Sequence, residues 1–135
     1  MTREHIEDLV KQAYAARVRG DLDGLMQYFG DNPHFTLAGS TAASPVPISV
    51  AGKAAVREAL RRLMDGFEFG EAELVNIIVE GPDAAVHSRL RIRVPGAAEW
   101  SVTEVVDLLR FEGDKIVSIK QFADTALAAR LASGG

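Results

Sequence analysis

The chain has 135 residues, 47% of them hydrophobic and 25% charged, which is the length of one domain with enough apolar material for one core. That balance excludes a disordered tail or a collagen-like fibre, and the complete lack of cysteine excludes a thiolate nucleophile, a disulfide framework and a Cys-ligated metal site. With 15 basic and 19 acidic side chains the formal charge is −4, so no overall field favours phosphate backbones or anionic lipid, and neither nucleic acid nor membrane is an expected partner.

From Ile6 the apolar residues fall at Ile6, Leu9, Val10, Ala13, Tyr14 and Ala16 or Arg17, the three-and-four spacing of an amphipathic helix. Thr2 or Arg3 begins it and Gly20 ends it. Asp21 stands where an N-cap belongs, ahead of a short second helix with Leu22, Leu25, Met26 and Phe29 that stops before an expected turn at Asp31-Asn32-Pro33. His34 to Ala38 alternates as a short strand, and Gly39 to Val50 reads as a stiff loop whose Pro45 and Pro47 oppose sheet pairing. A third helix carries Val56, Leu60, Leu63, Met64 and Phe67 on one face, with Gly66 as its C-cap. Between Phe67 and Phe122 the period changes from 3.6 to 2, with turns expected at Gly81-Pro82-Asp83, Pro95-Gly96 and Glu112-Gly113-Asp114. Helical spacing returns from Ala123 to Ala132, and residues 133–135 are expected to fray. No run approaches the ~18 apolar residues of a membrane-crossing helix, and Met1 to His5 leads into the first helix without a signal-peptide core, which reads as a cytoplasmic protein.

Tight turns between long strands predict an α+β domain over residues 1–132, with helices packed on one face of an antiparallel sheet. Alternation places Val86, Ser88, Leu90, Ile92 and Val94 on one face and His87, Arg89, Arg91 and Arg93 on the other. In the Trp100–Phe111 run both faces carry large apolar groups, which predicts a homodimer formed through the outer sheet face. The arginine row then lies at its rim, facing Glu104 or Glu71 and Glu73.

The same alternation aims Ser88, Thr103, Asp107 and Gln121 inward, with Tyr14 and Tyr28 available from the helices and His34 at the start of a strand. Asp107 stands between Val105 and Leu109 on its own face, an odd place for a carboxyl group. Two readings stay open: a hydrogen-bonding ligand pocket and a satisfied polar network within the core. No two histidines stand at metal-ligand spacing, Asp21-Leu22-Asp23-Gly24 is too short for a calcium loop, and no phosphate loop, nucleophile elbow or cofactor fingerprint occurs, so neither metal nor cofactor is expected.

Four segments carry a resemblance: Ala-Ala-Arg-Val-Arg-Gly-Asp-Leu-Asp-Gly-Leu (15–25), Tyr-Phe-Gly-Asp-Asn (28–32), Gly-Lys-Ala-Ala-Val-Arg-Glu (52–58) and Val-Val-Asp-Leu-Leu-Arg-Phe-Glu-Gly-Asp-Lys-Ile-Val-Ser-Ile (105–119). In this order they resemble the nuclear transport factor 2-like superfamily, in its SnoaL-like and ketosteroid isomerase-like branch. The resemblance implies a cystatin-like cone of helices on a curved sheet, with an internal pocket and commonly a dimer. It also places Asp107 on the aspartic acid that donates a hydrogen bond to the substrate oxygen in ketosteroid isomerases. The family's oxyanion tyrosine falls on Ala13, one residue before Tyr14, and its catalytic base falls on Leu37. Of the Asp-Arg-Asp set of limonene epoxide hydrolases only the arginine has a match, at Arg89; Arg91 and Gln121 stand in place of the aspartates. Neither steroid isomerisation nor that epoxide hydrolysis is therefore expected. The expectation is a protein that binds a small, largely apolar carbonyl compound of polyketide or steroid-like type. In cofactor-free proton transfer, cyclisation or dehydration Asp107 would polarise the carbonyl, with Thr103 and Gln121 orienting the ligand under the Gly39–Val50 loop. The alternative is a non-catalytic ligand-binding or protein-interaction module of the same fold.

Overall fold

The computed structural model describes residues 2–134. Thr2 accepts the His5 N–H and opens α1 (Arg3–Arg19), which Gly20 closes in a left-handed conformation that glycine adopts without a Cβ penalty. Asp21 caps the five-residue α2 (Leu22–Met26) through the Gly24 N–H. Then follow β1 (Phe29–Leu37), β2 (Ile48–Ala51), α3 (Lys53–Gly66), β3 (Glu68–Glu80), β4 (Asp83–Arg93), β5 (Ser101–Glu112), β6 (Lys115–Phe122) and α4 (Thr125–Ala132). The three hairpin turns fall where glycine and proline predict them. Gly66 is the last residue of α3 and the cap falls one position later, on Phe67. At the C-terminus Ser133 caps α4 and the Gly134 N–H bonds to the Leu131 carbonyl, while Gly135, also expected to fray, lies outside the described residues, as does Met1.

The six strands form one curved sheet in the order β2-β1-β6-β5-β4-β3. Every pairing is antiparallel except β1 with β6, which is parallel, so the expected all-antiparallel sheet is corrected at this seam. Two local expectations also change. Asp31-Asn32-Pro33 lies within β1, at a point where the ladder to β6 slips between Phe29 and His34, so Pro33 breaks no regular hydrogen bond. Pro47 directly precedes β2, an edge strand with one neighbour, and the segment after it pairs although the prolines argued against pairing.

Helix α1 packs over β3, and α3 over β1 and β2. The buried side chains form one large cluster that includes Ile6, Val10, Phe29, Phe35, Val56 and Val86. A smaller one of Leu90, Ile92 and Val105 is covered by Phe69 and by Leu127 and Leu131 of α4. Between the two clusters the core does not close.

Candidate active-site cavity

The gap is a cavity of about 130 Å3 with a mostly apolar wall drawn from both clusters, including Phe35, Leu37, Phe69 and Leu109. Six polar side chains reach it: Tyr14 and Arg17 from α1, Thr103 and Asp107 from β5, Gln121 from β6 and Asp124 at the start of α4. Asp124 is exposed and spends one carboxylate oxygen on the Leu127 N–H as the α4 cap.

Asp107 lies at the centre. It sits directly opposite Gln121 in the β5–β6 register, so the two side chains leave the sheet side by side. Gln121 Nε2 donates to Asp107 Oδ1 at 3.0 Å, and the Tyr14 hydroxyl donates to Oδ2. Burial pushes the Asp107 carboxyl up to about 6, and the two hydrogen bonds pull the other way because they favour the carboxylate. Desolvation dominates. The same burial raises the Tyr14 phenol well above its ordinary range, reinforced by the negative charge and hydrogen bond of Asp107. Tyr14 therefore stays a neutral donor while Asp107 changes charge near neutral pH.

Arg17 also lines the cavity, a residue that the helical spacing names only as an alternative to Ala16 and not among the candidate site residues. Its guanidinium Nη2 donates to the carbonyls of Phe67 at 2.9 Å and Leu63 at 3.5 Å, at the C-terminal end of α3. Its Cζ stands 3.6 Å from the centroid of the Phe69 ring. Burial alone lowers it to about 10, so it remains cationic at neutral pH. Among the described residues no carboxylate pairs with it.

The other expected site residues divide. Thr103 lines the cavity as alternation predicts. Tyr14 reaches Asp107 although residue-by-residue matching with the family points to Ala13, which also lines the wall. Leu37, on the family's base position, contributes apolar wall. Ser88 is fully buried and faces inward as expected, but it lies outside the cavity lining and its Oγ has no hydrogen-bond partner. Tyr28 bonds outward to Gln12 and His34 is exposed, and neither lines the cavity.

The model of the SnoaL-like domain family matches residues 10–119 of this chain. The chain belongs to that family. No curated protein sequence matches it at a significant level. Among solved structures it is similar to a protein from Rhodopseudomonas palustris provisionally named an isomerase, at 18% identity, with full coverage of both chains and a TM-score of 0.79. A nuclear transport factor 2-like protein of unknown function from Burkholderia pseudomallei is 21% identical over 98% of this chain and 99% of its own, with a TM-score of 0.78. An LEH-like epoxide hydrolase of Mycobacterium tuberculosis aligns at 14% identity over 98% of this chain and 92% of its own, with a TM-score of 0.74. At these identities the likeness establishes the nuclear transport factor 2-like fold. The counterparts expected for the epoxide hydrolase set are divided between faces, since Arg89 and Arg91 stand on the exposed outer side of the sheet.

Proposed function

We propose that this SnoaL-like domain binds a small, largely apolar carbonyl compound and moves a proton on it with Asp107, without a cofactor. The observation that carries this reading is a carboxyl group with a pKa near 6 that faces an apolar cavity and is held on both oxygens by neutral donors. A group that titrates near working pH is suited to both halves of a proton transfer. As a carboxylate, Asp107 takes a proton from the carbon beside the ligand carbonyl: the C–H bond breaks, an O–H bond forms on Asp107, and the electron pair moves onto the carbonyl oxygen. Once protonated, Asp107 no longer draws the Tyr14 hydrogen bond so strongly, and the phenol turns to the new enolate oxygen. Gln121 keeps the carboxyl in one orientation throughout, and Thr103 supplies a further hydroxyl to the ligand.

Size narrows the ligand. A cavity of about 130 Å3 is close to the ~150 Å3 that accommodates one benzene ring. A monocyclic or short branched compound fits inside, whereas a fused polycyclic skeleton would project through the mouth. Val46, from the loop between β1 and β2, contributes to the wall there, in keeping with a loop that covers the ligand.

The proposal extends to a homodimer through the outer sheet face. Val102 is 66% exposed and Ile78 58%, with Leu108, Phe122, Val75 and Val106 also open. That apolar content exceeds what a solvated sheet face of a small domain ordinarily shows. No helix among the described residues is long and apolar enough to cross a membrane, and a cytoplasmic location is part of the same proposal.

The test is deuterium exchange from D2O into cyclohexanone and into β,γ-unsaturated cyclohexenone, followed by NMR. Exchange above the buffer rate that is abolished in Asp107→Asn is the expected result. Exchange equal to buffer, or equal in Asp107→Asn, overturns the chemistry. A second reading, a non-catalytic binding module, draws on Leu37 in the base position and on the hydrogen bond that each Asp107 oxygen already accepts. Tight ketone binding without exchange would favour it.

A further inference from the structure

The cavity has a second pole that the proton-transfer reading does not use. Arg17 enters it from the same face of α1 as Tyr14, three residues further along. Its side chain is partly buried, and its partners are two backbone carbonyls on one nitrogen and the face of Phe69. Among the described residues Nε and Nη1 donate to no protein group and Arg17 has no ion pair, although arginines elsewhere in the chain have several. A cation drawn partly out of water gains from an anion placed beside it. A cation with free N–H donors beside an apolar wall suits a carboxylate, which accepts charge-assisted hydrogen bonds.

The acidic groups of the cavity do not fill this role. Asp107 is committed to Tyr14 and Gln121, and the hydrogen bonds of Arg17 go to backbone carbonyls of α3 and its cap instead. Asp124 caps α4 and is exposed.

We infer that the ligand is an anion, a small oxo-carboxylate whose carboxylate is held by Arg17 while its carbonyl end meets Tyr14 and Asp107. The inference rests on the site described under the proposed function and names its substrate class. The apolar walls between the poles take a ring or short chain, and the cation at one end fixes which carbon is presented to Asp107. Neutral ketones would enter in either direction; an oxo-carboxylate enters in one.

The experiment compares matched probes on the intact protein by calorimetry: benzoate with benzamide, and 4-oxocyclohexanecarboxylate with its methyl ester. The carboxylates are expected to bind about tenfold tighter or more, the worth of one charge-assisted hydrogen-bond pair. In Arg17→Met, which keeps the length of the apolar stem, that preference is expected to vanish while benzamide still binds. Because this variant could lose the brace between α1 and α3, a second measurement uses the unmodified protein. The Arg17 Nε–H resonance is expected to shift with benzoate and to stay in place with benzamide. Equal affinities for the matched probes, an unchanged preference in a folded Arg17→Met, or a stationary Nε–H resonance would each overturn the inference. Exchange into the neutral cyclohexanone separates the two proposals: exchange without carboxylate preference removes only this one, and carboxylate preference without exchange supports it while removing the chemistry.

Discussion

Replacing Asp107 by Asn should change how stability depends on pH, and the structure fixes both the sign and the size. Burial raises the Asp107 carboxyl from its ordinary 3.8 to about 6. The folded protein therefore holds this proton at pH values where the unfolded chain has released it. Wherever the native state binds more protons, stability falls as pH rises. The contribution is fully present below pH ~4, the range of an unfolded carboxyl, and is lost as pH climbs through about 6. At ~1.4 kcal/mol per pH unit, a rise of this size amounts to about 3 kcal/mol, on the order of a quarter to a half of the net stability of a small domain.

Asparagine suits the same frame. Its amide oxygen can accept from Gln121 Nε2 as Asp107 does, and its NH2 can donate to the Tyr14 oxygen, which replaces the Tyr14 bond by one of reversed direction. Urea denaturation of both proteins between pH 4.5 and 8 measures the difference directly. Exposed carboxylates such as Asp21 and Glu58, which titrate low because of their own partners, are common to both proteins and cancel. Between pH 4.5 and 8 Asp107→Asn should gain on the parent by about 2 kcal/mol, since part of the contribution is already lost at pH 4.5. A difference that is flat with pH, or one in which the parent gains as pH rises, would refute the desolvated-acid account.

Tyr14→Phe removes a donor that favours the carboxylate, so the Asp107 pKa should move above its value of about 6, and the 13C carboxyl titration of selectively labelled protein reads this directly; no movement would show that the phenol does not bond to the acid in solution. On the outer face, Val102→Lys combined with Leu108→Glu should convert a sedimenting dimer to monomer without lowering monomer stability by more than ~0.5 kcal/mol, because both side chains are exposed. An unmodified protein that sediments as a monomer at high concentration would remove the dimer.

The parts of the fold legible in the sequence are those with local causes. Gly81, Gly96 and Gly113 take positive φ values in the turns between long strands, and Asp21 and Asp124 cap their helices through short-range bonds, so their positions follow from a few neighbouring residues. The parallel seam has no such cause. Phe35 lies opposite Ile119, far away in sequence, and nothing within β1 distinguishes a parallel neighbour from an antiparallel one. The Asp31-Asn32-Pro33 segment carries a true turn signal, yet it is absorbed as an irregular stretch of β1 because the ladder slips there. Its Pro33 carbonyl instead accepts the Gly52 N–H that leads into α3.

The site divides along a similar line, between strand and helix. A period of two cannot drift, so once Asp107 faces inward, Thr103 and Gln121 follow wherever the register falls, and all three were found by alternation alone. A helical face is an arc, and side-chain length decides which residues at its margins reach the interior. At ~100° per residue, taking Ile6 as the origin, Ala13 lies at about −20°, Arg17 at about 20° and Tyr14 at about 80°. Matching by position favours Ala13, which lies nearer the middle of the arc, but only Tyr14 carries an arm long enough to bring a hydroxyl to Asp107. Arg17 lies closer to the middle than Tyr14. The apolar spacing offers Arg17 only as an alternative to Ala16 and not as a site residue, whereas its phase among Ile6, Val10 and Ala13 places it inside. A cation at the centre of an otherwise apolar arc must meet carbonyls, an aromatic face or an anion. Two backbone carbonyls and Phe69 account for part of that need, and the carboxylate of the proposed ligand would account for the rest.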